Sequence, residues 1–194
     1  HPNYLMSIIG GKYKGKKLLL PINKNTRPLK DMVKESIFNL LIHSNKIKID
    51  IADSNVLDLF SGSGSFGIEC ISRGAKNVYF FENYSEAIKI LNKNLLFLKL
   101  NHNYKVFEKN CFDFFKENKL KNIFFDIVFI DPPYNELKIN NFLDLIFKND
   151  IISKKTLFII HRHKKDTITI SEKIQLVEVR NYGISKISLG YPII

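Results

Sequence analysis

Three acids and a set of glycines stand where this chain could do chemistry. Asp131-Pro132-Pro133-Tyr134 follows the apolar run 123–130. Such a run reads as a strand buried on both faces, the kind found in the middle of a parallel sheet. Pro132 removes a backbone donor and biases Asp131 away from helical angles, and Pro133 repeats the restriction. The result is a stiff corner at the carboxyl end of a central strand, where open α/β sheets bind their ligands. It offers two acceptors, the Asp131 carboxylate and the Pro132 carbonyl, and a flat ring at Tyr134. That set suits a planar substrate carrying an N–H group. Taken alone, Asp-Pro-Pro-Tyr is equally an ordinary turn, since Asp and Pro are common turn residues.

The upstream pattern shifts that balance. Gly62-x-Gly64-x-x-Gly67 sits after a strand and before a helix, with Glu82 at the end of the next strand. Glycines let backbone pass close to a ligand, and a carboxylate at that place can hold ribose hydroxyls. Two cofactors satisfy this: a dinucleotide with its pyrophosphate on the helix N-terminus, or S-adenosylmethionine with an amino-acid tail. Asp58 lies in the strand before the loop and could meet an ammonium group. Without such a partner it would be costly to bury. Its competing reading is a cap for the glycine loop.

The elements that must position these groups follow from periodicity. Strands are expected at 56–60, 77–81, 105–108, 123–130, 156–160, 173–180 and 186–189. Helices are expected at about 28–42, after the glycine loop, at 85–99, around Phe112–Leu120 and at 135–148. In the first helix Leu29, Val33, Ile37, Leu40 and Leu41 form the buried stripe, while Lys30, Asp31, Lys34 and Glu35 take the outer face. The alternation of strands and helices makes an α/β fold with a mostly parallel seven-stranded sheet built by right-handed crossovers. The last two strands join through Asn181-Tyr182-Gly183 as a hairpin. Residues 7–20 read as a short basic hairpin around Lys14-Gly15, so the chain divides into an extension, 1–25, and a main domain, 26–194. Met6 reads as a candidate natural start.

The chain has 194 residues and a formal net charge of +11. That charge points to a polyanionic partner, although only Arg27, Arg73, Arg162 and Arg180 among the 30 basic residues are arginine, and part of the excess follows a Lys- and Asn-rich composition. Lys12, Tyr13, Lys14, Lys16 and Lys17 crowd the hairpin turn, where they could neutralise phosphates or simply be solvated. No apolar run is long enough to span a membrane, and no signal-peptide pattern precedes the fold. Cys70 and Cys111 cannot make a disulfide framework and fit a reducing cytoplasm. Neither stands where a nucleophile would attack a base. The five histidines show no metal-ligand spacing, so no metal is expected.

Asp58-Leu-Phe-Ser-Gly-Ser-Gly64, Glu82 and Asp131-Pro-Pro-Tyr134 together resemble the Rossmann-like S-adenosylmethionine-dependent N-methyltransferases. Ile8-Ile-Gly-Gly-Lys-Tyr-Lys-Gly-Lys-Lys-Leu18, the segment Arg27-Pro-Leu-Lys-Asp-Met-Val-Lys-Glu-Ser-Ile-Phe-Asn39 and Tyr182-Gly183 are narrower. They resemble the bacterial 16S ribosomal RNA guanine-N2 methyltransferases, over nearly the whole chain from about Ser7. A cytoplasmic monomer is expected, and the resemblance implies an enzyme acting on 16S RNA or the small subunit. It implies catalysis by Asp131, Pro132 and Tyr134. S-adenosylmethionine would be held by Asp58, Phe60, Ser61, Gly62, Gly64, Glu82, Asn110 and Cys111, with Asn110 or the Cys111 backbone at the adenine edge. Lys12, Lys14, Arg27 and Pro133 would contact RNA. The family usually carries Glu where this chain reads His161-Arg162-His163, so no role passes to that position. A Leu also replaces the more usual Thr after Pro28. The rival chemistries are methylation of adenine N6 or cytosine N4 in DNA, hydride transfer with NAD, and RNA binding without catalysis.

Overall fold

A computed structural model describes residues 5–21, 29–100, 103–117, 119–133 and 138–194. Seven strands form the central sheet: β3 (Asn55–Asp58), β4 (Asn77–Phe81), β5 (Tyr104–Phe107), β6 (Ile127–Ile130), β7 (Leu157–His163), β8 (Ile174–Tyr182) and β9 (Ser185–Pro192). Their order across the sheet is β5-β4-β3-β6-β7-β9-β8. The first five are parallel, while β9 runs antiparallel between β7 and β8. This is the expected mostly parallel α/β sheet closed by a hairpin. A separate antiparallel pair, β1 (Leu5–Ser7) and β2 (Lys17–Leu19), forms the N-terminal hairpin.

Period-two alternation explains why the central strands read as unbroken apolar runs. Val56, Ile127, Phe129, Leu157 and Ile159 pack on one face, with α1 (Asp31–His43), α2 (Ser65–Ser72) and α3 (Ser85–Phe97). Leu57, Val128, Ile130, Phe158 and Ile160 pack on the other, with α4 (Cys111–Glu117) and α5 (Ile139–Phe147). Each face is covered, so both sets of side chains must be apolar.

Several boundaries differ from the sequence reading, each for a local reason. β6 holds only the last four residues of the apolar run. Before it, Asp126 turns its carboxylate back to accept the Asn55 N–H at 2.8 Å, and Phe124 is exposed. β7 continues through His163, because β9 pairs with it beyond the point where β6 stops. α1 begins at Asp31 and α5 at Ile139, later than expected. Residues 134–137 and the whole of the expected linker at 23–28, Pro28 included, lie outside the described residues.

Lys34 is the clearest correction. Its charge places it on the outer face of α1 in the sequence reading, yet it is completely buried. Burial pushes its pKa down, and the Glu69 carboxylate opposes that shift. The Lys34 ammonium donates to the Ser7 carbonyl at 2.7 Å and lies 3.5 Å from Glu69. Glu69 in turn accepts the N–H groups of Ile9 and Gly10, at 2.8 and 2.9 Å, and the Arg73 Nε–H at 2.8 Å. The hairpin is therefore riveted to α1 and α2 by a buried ionic cluster, and Met6, Ile8 and Leu18 join the main core. Glu69→Ala would strand a buried lysine and two backbone donors. Losing one partner of such a cluster costs about 3–5 kcal/mol. A fall of that size in urea-unfolding stability is the expected result.

Candidate active site

The sheet order reverses direction between β3 and β6, so the chain leaves their carboxyl ends toward opposite faces. A crevice opens at such a switch point. Here it is a cleft of about 750 Å³ lined by Asp58, Phe60 to Ser63, Ser65, Phe66, Glu82 to Tyr84, Asn110, Phe112, Asp113, Phe129, Asp131, Pro132, Pro133, Lys138 and Asn141, with Pro21 and Leu29 at its edge. Phe66 and Phe129 stack with ring centroids 4.0 Å apart beneath it.

The glycine loop is held from three sides. Gly62 and Gly64 have φ of 55° and 91°, backbone that other residues adopt only with strain. A side chain at Gly64 would also drive its Cβ to 2.6 Å from Leu91. The Ser61 hydroxyl donates to the Asp58 carbonyl at 2.8 Å. Glu82 Oε1 accepts the Gly62 N–H at 2.8 Å, while Oε2 accepts those of Asn83 and Tyr84 at 3.0 Å each. Glu82 thus fastens the loop as well as facing the cleft. A carboxylate has about four lone-pair positions. Three are used by backbone donors, which leaves Oε1 the better placed to accept a ligand hydroxyl.

Asp58 is buried, and its Oδ2 accepts the Gly67 N–H at 3.2 Å from the first turn of α2. The loop-cap reading of Asp58 is therefore correct for one oxygen. Its Oδ1 has no hydrogen-bond partner among the described residues, nor has the buried Ser65 hydroxyl beside it in the cleft lining. Burial raises the Asp58 pKa to about 8, the Gly67 N–H opposes that, and the charges of Asp131 and Glu82 add to it. An unsatisfied buried carboxylate calls for a cationic donor. With Asp58, Glu82, Asp113 and Asp131 against Lys138, the lining favours an ammonium and would repel a pyrophosphate. The residues present fit S-adenosylmethionine and not a dinucleotide.

At the proline corner, Asp131 and Pro132 are partly exposed into the cleft and Pro133 is exposed. Asp131 Oδ1 lies 2.9 Å from His161 Nδ1, and His161 Nε2 lies 2.7 Å from the Ser185 hydroxyl.

Known proteins share this chain's fold and about a third of its sequence. The chain matches the family model described as conserved hypothetical protein 95 over residues 6–191. It is 33% identical over 178 residues to ribosomal RNA small subunit methyltransferase D of Haemophilus influenzae, covering 91% of this chain and 89% of that protein. The protein of the same name from Escherichia coli is 33% identical over 153 residues, covering 79% of this chain and 72% of the relative. This chain belongs to the methyltransferase D family. A solved structure of Escherichia coli yhhF superposes with a TM-score of 0.81 at 28% identity, covering 97% of this chain and 98% of that one.

Within this methyltransferase D fold, the structure brings Asp58, Phe60, Ser61, Gly62, Glu82, Asn110, Asp131, Pro132 and Pro133 to one cleft. Gly64 turns the loop from behind. The Cys111 side chain, one of two cysteines expected to be buried or cofactor-lining, is buried in the core at the start of α4, and its neighbours Asn110, Phe112 and Asp113 line the cleft. Asn110 caps that helix by accepting the Asp113 N–H at 3.0 Å. Burial pushes the thiols of Cys70 and Cys111 up, so neither is a poised nucleophile. Lys12 and Lys14 are exposed on the hairpin loop, whose Lys12 N–H reaches the Ser72 carbonyl at the far end of α2. Eight helical residues rise about 12 Å, so the Lys12 backbone stands roughly that far from the glycine loop. Tyr134 and Arg27 lie outside the described residues. Sequence reasoning misses His161 and Ser185 at the corner, although an apolar strand ending in His-Arg-His signals that something there needs hydrogen bonds.

Among the described residues no helix is long and apolar enough to cross a membrane, and no group of three or more His, Cys, Asp or Glu is placed to hold a metal.

Proposed function

We propose that the chain transfers a methyl group from S-adenosylmethionine to the exocyclic N2 amine of a guanine in 16S RNA. The observation that carries this reading is the meeting of two unlike acceptor sets in one cleft. The unsatisfied oxygen of buried Asp58 suits a cation, and the Asp131–Pro132 corner suits an N–H. The relatives named above act, by their names, on small-subunit ribosomal RNA.

S-adenosylmethionine, when bound, supplies an electrophilic methyl group. Asp58 would pair with its ammonium, Ser61 to Gly64 would wrap its amino-acid portion and Glu82 would accept from its ribose. Asn110 and Phe112 stand where the adenine edge would lie. The amine of guanine is a poor nucleophile because its lone pair is shared with the ring. The Asp131 carboxylate and the Pro132 carbonyl would accept its two N–H groups, turning the lone pair out of conjugation and meeting the positive charge that develops on nitrogen. One amine proton is then carried off through Asp131. The base must leave its own stack to enter, and Tyr134 is assigned to stack on it. Lys12 and Lys14, exposed outside the acidic cleft, are assigned to RNA phosphates, and Arg27 is assigned the same role.

Glu82→Ala should weaken S-adenosylhomocysteine binding about 10- to 100-fold, since it removes both a charged acceptor and the fastening of Gly62. Titration calorimetry reads this directly, and unchanged affinity would count against the assignment.

The functional test uses small subunits and naked RNA that lack the modification, with mass spectrometry to locate the methyl group. One N2-methylated guanine is the expected product. A methyl on adenine N6 or cytosine N4, or transfer only to DNA, would favour the nearest rival.

A further inference from the structure

The family resemblance assigns nothing to His161, yet this residue is in contact with Asp131. β6 ends at Ile130, which pairs with Ile160, so Asp131 and His161 leave adjacent parallel strands at the same height. β7 continues there only because β9 pairs with it, and that pairing sets His163 opposite Ser185. His161 and His163 share a face of the strand, which makes Ser185 the diagonal neighbour of His161. Asp131 Oδ1, His161 and Ser185 Oγ form one line of contacts at 2.9 and 2.7 Å, and the His161 ring is buried.

The chemistry fixes the direction of the contact with Asp131. An ionised carboxylate only accepts, so His161 Nδ1 carries the proton it shares with Asp131. In a neutral ring Nε2 is then an acceptor, and the Ser185 hydroxyl donates to it. Ser185 thereby sets the ring's orientation, and the ring sets that of the carboxylate.

We propose that His161, anchored by Ser185, is a positioning residue that fixes the orientation of the Asp131 carboxylate toward the amine of the substrate. This rests on the reading of Asp131 as the amine's acceptor. A misplacement of about 1 Å in such a group costs on the order of 100-fold in rate. His161 itself is not part of the cleft lining.

Two measurements test this. The first is nitrogen NMR of histidine-labelled protein, which needs no methyl transfer. His161 should carry its proton on Nδ1 in the native chain and shift toward Nε2–H in Asp131→Ala. A native ring with no proton on Nδ1 overturns the proposal. The second compares kcat across variants on whichever amine the native protein methylates. His161→Phe should lower kcat about 10- to 100-fold with S-adenosylhomocysteine affinity within about threefold. His161→Asn, whose amide nitrogen can stand near the place of Nδ1, should recover most of that loss. On the Asp131→Ala background, His161→Phe should cost little more, because the two act as a unit. Equal losses for Phe and Asn, or a full loss on both backgrounds, would mean packing alone and would overturn the proposal. A native protein that methylates no guanine would refute the functional reading while leaving the NMR result to judge His161.

Discussion

Asp131→Ala is expected to lower turnover about 100-fold or more while leaving S-adenosylhomocysteine affinity within about threefold. The size follows from what the carboxylate does. It receives an amine N–H and faces the charge that grows on nitrogen as the new bond forms. Removing one preorganised polar group that acts mainly in the transition state costs about 2.7–4 kcal/mol, which is a factor of about 100 to 1,000. The cofactor side is spared because the glycine loop is fastened through Glu82 and Asp58, not through Asp131. Single-turnover transfer from labelled S-adenosylmethionine measures the chemical step, and calorimetry measures the binding. Near-normal turnover would contradict the assignment of Asp131. A loss of binding equal to the loss of rate would mean that Asp131 holds the cofactor and not the amine.

The second large effect concerns Asp58 and pH. Burial pushes its pKa up to about 8 from 3.8. Between those values the folded chain without ligand holds a proton that the unfolded chain has released. The stability this proton contributes is therefore fully present below about pH 4 and is lost as pH rises through 8. The cofactor's ammonium requires the ionised form, so binding at lower pH must expel the proton. Affinity for S-adenosylmethionine should accordingly fall about tenfold for each pH unit below 8. Above 8 the ammonium itself begins to lose its proton, since α-amino groups titrate at about 7.7–8.0. The profile should thus peak near pH 8. Asp58→Asn should remove the acid limb and lower affinity at pH 8 about 10-fold or more through loss of a charge-assisted contact. It should also raise the melting temperature of the ligand-free protein above pH 8, where the native residue is a buried, partly unsatisfied charge. Calorimetry in two buffers of different ionisation enthalpy counts the protons released. Affinity that does not change with pH in the native protein would contradict this role.

Much of the molecule is legible in the chain itself. The glycine spacing, Asp58, Glu82 and the proline corner specify the sheet, its switch point and the main walls of the cleft, because each is a backbone constraint tied to a short motif. What escapes depends on contacts distant in sequence. Lys34 lies three positions before Ile37 and seven before Leu41, so helical spacing already puts it on the buried face. Its charge argues for the outer face, and only the approach of Glu69 and Ser7 makes the burial tolerable. The apolar run at 123–130 reads as one strand because periodicity cannot see Asp126 turning back to cap Asn55. Phe112 and Asp113 escape as parts of the cleft wall, because the first turn of α4 buries the Cys111 side chain and brings those two forward. The pairing of His161 is unreadable for a related cause. Its partner Ser185 is 24 residues away across a hairpin whose register no local pattern specifies.

The most direct measurement is a crystal structure of the protein with S-adenosylhomocysteine. The ligand should lie between residues 58–67 and 131–133, with its ammonium on Asp58 Oδ1, its ribose at Glu82 and its sulfur turned toward the Asp131–Pro132 corner. A ligand bound elsewhere, or in that cleft with its sulfur turned away from the corner, would contradict the account.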